Sequence, residues 1–98
     1  MELAIFGKVV SLRGDWRLIR VTQSSIHLLA DSLEQISSGT DKNPQIDCKQ
    51  ISRLDIGGLE LLYTWFHCFR LRGIEPVLIN PPEKIQKAFH GMDFLRCA

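Results

Sequence analysis

The side chains in this sequence that could do chemistry are few and poorly spaced for it. Its cysteines are Cys48, Cys68 and Cys97, and its histidines are His27, His67 and His90. His67 and Cys68 come nearest to a base beside a nucleophile. As neighbours on a helix they would point ~100° apart, so they cannot act on each other. Asp47 and Asp55 add carboxylates, but no His, Cys or acidic residues recur at zinc-ligand spacing. No catalytic residue, metal or cofactor is therefore assigned, and a binding module is expected rather than an enzyme.

One stretch remains unusual, "RLDIGGLELL" at residues 53–62. Asp55 suits the N-cap of a helix, where a carboxylate accepts first-turn amides and complements the helix dipole. Gly57 and Gly58 then fall in the first turn, where each costs up to ~1 kcal/mol relative to alanine. Close approach of other backbone would offset that. The approaching backbone could be the chain's own sheet or a protein partner. A phosphate fits less well, because Asp55 would repel it and no G-x-x-x-x-G-K-[ST] loop is present.

The elements that must hold this turn are legible from periodicity. Residues 3–6 and 9–12 are β-prone, and Gly7-Lys8 between them predicts a hairpin. "RGDW" should break the second strand, and residues 17–21 fit strand or helix equally. Thr22, Ser24 and Ser25 are N-cap candidates for a helix carrying Ile26, Leu29, Leu33 and Ile36, with Gly39 beyond its end. "QIDCKQ" reads as a short strand and "ISRLD" as a connection. A long helix follows over 57–71, closed by Gly73. "EPVLIN" is a strand over 75–80, Pro81-Pro82 stop it, and a short helix runs from Glu83 to Phe89 with Gly91 at its end. "MDFLRCA" reads as a tail. Strands alternating with helices predict parallel neighbours. The expected fold is a single α/β domain over 1–98: an open mixed sheet, made of an N-terminal hairpin plus parallel strands, with helices packed on it.

Bulk properties agree. The chain has 98 residues, enough for one core, with 45% hydrophobic and 23% charged residues. A net charge of +1 gives no general attraction to nucleic acid or anionic membranes. The first residues resemble neither a signal peptide nor a membrane span. Three cysteines without a pairing pattern fit a reducing compartment, and a cytoplasmic location is expected.

"IDCKQISRLDIGGLELL", followed by "RGIEPVLIN", resembles the STAS domain of anti-sigma factor antagonists and sulfate-transporter tails. The resemblance spans about residues 45–94, and "LRGDW" at 12–16 stands where STAS chains carry a turn. Asp55-Ile56-Gly57-Gly58-Leu59 is most similar to the D-T-G-G-L of the small STAS subunit of Mla-type lipid-asymmetry ABC transporters (MlaB-like). That resemblance implies a bacterial accessory subunit for lipid transport. Such a subunit binds the transporter's ATPase and lies at the inner membrane only through that partner. The anti-sigma branch implies instead a kinase partner that phosphorylates the turn. Ile56 stands at the hydroxyl position, so phosphorylation there is excluded; Ser52 is a neighbouring hydroxyl.

The resemblance makes Asp55, Ile56, Gly57 and Gly58 the partner-binding turn. Leu61 and Trp65 would extend it, because the apolar sector of the long helix is wider than a sheet-facing stripe needs. Ile56 could equally be core, and Trp65 could pack under the first or last helix. An isologous homodimer through the long helix is a further alternative.

Overall fold

The structure is a computed structural model that describes residues 1–40, 42–89 and 96–97. Strands β1 (Glu2–Phe6) and β2 (Val9–Trp16) form the expected hairpin, with Gly7 turning at φ 61°. A 3-10 turn (Leu18–Arg20) leads to helix α1 (Gln23–Ser37). Strand β3 (Gln45–Leu54), helix α2 (Ile56–Leu71), strand β4 (Val77–Ile79) and helix α3 (Glu83–Phe89) follow, and β5 (Arg96–Cys97) is a two-residue strand. The sheet order is β1-β2-β3-β4-β5, with β1 antiparallel to β2 and the other pairs parallel. This is the open mixed sheet expected from the pattern.

Three local expectations fail for one reason, which is pairing between distant strands. "RGDW" does not end β2. Arg13, Gly14, Asp15 and Trp16 stay in register with β3 through two register shifts, eased by Gly14 at φ 87°. "ISRLD" is not a connection, because β3 continues through Leu54 along that same partner. β4 is shorter than its apolar run, since only Val77, Leu78 and Ile79 find partners on β3. The ambiguous 17–21 stretch is the 3-10 turn. The tail contributes β5 at Arg96–Cys97; the rest of it, with the Gly91 helix end, lies outside the described residues.

The strands advance in one direction, so right-handed crossovers put the connecting helices on one face of the sheet. Val10, Ile46 and Leu78 lie side by side in register and are buried there. They share a core with Leu29 and Leu33 of α1, Leu62, Phe66 and Phe69 of α2, and Ile85 of α3. α1 starts on a capping box in which Thr22 accepts from the Ser25 amide and Ser25 Oγ accepts from the Thr22 amide.

The wide apolar sector of α2 is explained by α1. Trp65 is 3% exposed and packs edge-on against Phe69, with ring centroids 5.0 Å apart. Its Nε1–H donates to Ser32 Oγ at 3.0 Å, and Ser32 in turn donates to the Leu29 carbonyl at 2.6 Å. Arg72 closes the same seam on Glu34 and Ser37. Trp65 is thus a core residue between two helices and does not extend the partner-binding turn as an exposed side chain. The hydroxyl at position 32 lets the indole be buried with its N–H satisfied.

Trp65→Ala should lose about 3–5 kcal/mol of unfolding free energy in chemical denaturation, as large aromatic truncations do. Trp65→Phe should lose less, because its ring still fills much of the space that alanine would leave empty.

Candidate functional site

The corner between β3 and α2 is built around one carboxylate. Asp55 has extended backbone (φ −122°) and caps α2, its Oδ1 accepting from the Gly58 amide at 2.8 Å. The same carboxylate accepts from the Leu18 amide, at 3.0 Å to Oδ1 and 3.2 Å to Oδ2. It therefore fastens the 3-10 turn to the first turn of α2 across 37 positions of sequence. The Gly58 bond chiefly holds the Asp55 carboxyl below the usual range; burial opposes this, and the Leu18 amide and the Arg17 charge assist.

The paired glycines serve this junction. A methyl group at Gly58 would run into the carbonyl oxygen of Trp16 and reach Leu54 Cδ1 at 3.0 Å. One at Gly57 would stand 2.5 Å from Leu18 Cβ. The backbone that approaches the glycines is the chain's own, namely the end of β2 and the turn after it. Gly58 is buried, so it shapes the corner from inside and presents no surface. A second carboxylate steadies the turn: Asp15 accepts from the Arg17 amide and guanidinium, and Arg20 Nε lies 3.5 Å away. Those bonds, Arg17 first, hold the Asp15 carboxyl far below its ordinary value.

What this framework leaves outward is apolar. Ile56 is 75% exposed, and beside it the turn exposes Leu18 (58%) and Ile19 (82%). Asp55, Gly57 and Leu61 are half-buried. Of the six residues read from sequence, Ile56 is thus the exposed one, Asp55, Gly57 and Leu61 border it, and Gly58 and Trp65 are interior. Leu18 and Ile19 were missed. Their signal was an apolar pair between Arg17 and Arg20 that belonged to no periodic element.

The side chains considered for catalysis stay apart. Asp47 accepts from the Lys49 amide near the start of β3, while Asp55 lies just beyond its end. Cys68 is half-buried on α2, and its neighbour His67 stacks on Tyr63 on the outside of that helix. Among the described residues no three His, Cys, Asp or Glu side chains group to hold a metal ion, and no helix is long and apolar enough to cross a membrane.

A family model for the STAS domain matches residues 10–97, and the chain belongs to that family. Two solved structures share its fold. One is the anti-sigma factor antagonist SpoIIAA in its unphosphorylated form, 14% identical, with a TM-score of 0.66 over 99% of this chain and 86% of the other. The second is the Bacillus cell fate determinant SpoIIAA in its phosphorylated form, 15% identical, with a TM-score of 0.64 over 99% and 89%. No curated protein matches the chain.

Gly58→Ala should destabilise the fold more than Gly57→Ala, because a backbone carbonyl stands in its way rather than a side chain; melting temperatures would rank them. Asp55→Asn should also lower the melting temperature. The stability that Asp55 adds is complete above the ordinary carboxylate value of 3.8 and is lost as pH falls through its depressed folded value. The gap between wild type and Asp55→Asn should therefore narrow in acid, as read from denaturation curves across that range.

Proposed function

We propose that this chain is a non-catalytic protein-interaction module that docks through its Asp55–Ile56 corner. The partner proposed is the ATPase subunit of an Mla-type phospholipid ABC transporter, which would hold the chain at the cytoplasmic face of the membrane. The observation that carries docking is the exposure of Ile56 beside Leu18 and Ile19 on a corner whose backbone is pinned by Asp55. Exposed branched side chains on a rigid support favour association, since little conformational entropy is lost when they are covered. The Asp-x-Gly-Gly-Leu pattern at 55–59 supports the transporter branch.

A second reading is an anti-sigma factor antagonist, favoured by the likeness to the two SpoIIAA structures. One of those is a phosphorylated form, whereas residues 56–58 of this chain offer no hydroxyl. A kinase partner acting on this turn would need another acceptor, of which Ser52 is exposed nearby on β3.

The test is binding of the purified chain to the candidate ATPase, followed by calorimetry. Ile56→Asp should leave the melting temperature unchanged and weaken binding at least about thirtyfold, the equivalent of losing one buried Ile, ~2 kcal/mol. Ile19→Asp should act in the same direction. Full binding by both variants would refute the corner as the docking site. Binding of an anti-sigma kinase in place of the ATPase would select the second reading.

A further inference from the structure

Next to the corner, between the end of β3 and the start of α3, lies an open groove of about 440 Å³. It is lined by Ile51, Ser52 and Arg53 of β3, by Glu83 and Lys84 of α3, and by Arg17. The charges around it do not balance. Arg53 is paired through its backbone to β2, but its guanidinium makes no hydrogen bond or ion pair among the described residues. Lys84 Nζ donates to the Leu54 carbonyl at 2.8 Å and has no carboxylate partner among them. Arg17 and Arg20 share the single carboxylate of Asp15. Two carboxylates offset part of this, Glu83 in the lining, which pairs with Lys87, and Asp55, whose charge acts on Arg17. Arg53 and Lys84 are the groove cations left without a carboxylate partner among the described residues.

We infer that this groove receives an acidic segment of the protein partner, whose carboxylates pair with Arg53 and Lys84 while a neighbouring apolar side chain covers Ile56. The inference rests on the reading that this end of the domain docks a protein. Arg53 lies on β3 two residues before Asp55, which caps α2 just beyond the strand end, and Arg17 directly precedes Leu18. A chain lying over Ile56 and Leu18 must therefore pass these cations. Carboxylates on that chain complement them, and basic ones would be repelled. A free small oxyanion is a poorer occupant. It would want converging backbone amides, and the first turn of α2, which would supply them, is already occupied by Asp55. Arg53, with a planar fork free of protein partners, is the residue best placed for a two-point grip on a carboxylate.

The experiment is an amide NMR titration of the full chain with a soluble synthetic peptide of repeated Glu-Glu-Leu units, beside its Gln-Gln-Leu counterpart and inorganic phosphate. The acidic peptide should shift the amides of Ser52, Arg53 and Lys84 together with Leu18. The neutral peptide should bind about tenfold more weakly, and raising salt from about 0.05 M to about 0.5 M should remove most of the difference. Arg53→Glu combined with Lys84→Gln, checked for an unchanged fold by its spectrum, should bring the acidic peptide down to the neutral one. Equal binding of the two peptides, no shifts up to about 1 mM peptide, or saturation of the same amides by phosphate alone would each overturn the inference. The two readings separate on the ATPase. If Arg53→Glu weakens binding while Ile56→Asp does not, the corner fails and the groove stands. The reverse result sinks the groove and spares the corner.

Discussion

The structure turns on the contact between the first turn of α2 and the chain leaving β2. There a helix N-terminus meets a strand end so closely that only hydrogen fits at the Cα of Gly58, against the Trp16 carbonyl. Asp55 ties the contact together by accepting from one amide on each side. A side chain at either glycine would push the 3-10 turn away, and the Leu18 amide would then lose its acceptor. Low helix propensity in that first turn is offset by packing that no other residue permits.

This junction determines which parts of the surface are free for binding. Because the glycines face inward, the apolar side chains that flank them, Ile56 on one side and Leu18 with Ile19 on the other, are turned outward. Asp55 is held at the corner by amides, while in the groove beside it Arg53 and Lys84 have no carboxylate partner among the described residues.

On the far side of α2 the demand is the opposite. Trp65 and its neighbours extend the apolar surface beyond what the sheet covers, and α1 takes up the excess through Ser32 and Arg72. The helix is thus clamped from two directions, which keeps its N-terminal corner in place. The docking proposed for this corner calls for no reactive group: a partner would need only a rigid, partly apolar shape with a definite charge beside it.

The sequence by itself determined the order of the strands and helices from β1 to α3, apart from the 3-10 turn, together with the hairpin turn at Gly7, the Asp55 cap and the mixed sheet, because these follow from local periodicity and local hydrogen bonding. Ile56 as a candidate contact was also legible, through its place in a familiar pattern. Only the tertiary structure decided where β2 and β3 end, since their last residues are strands by virtue of each other. It alone decided that Trp65 lies inside, because burial depends on a helix some thirty residues away that offers a hydroxyl at the right height. It alone joined Leu18 and Ile19 to Ile56, across a separation that no periodicity spans. Contacts within a turn or along one face are written in short stretches of sequence, whereas contacts between distant segments come into being only when the sheet brings them together.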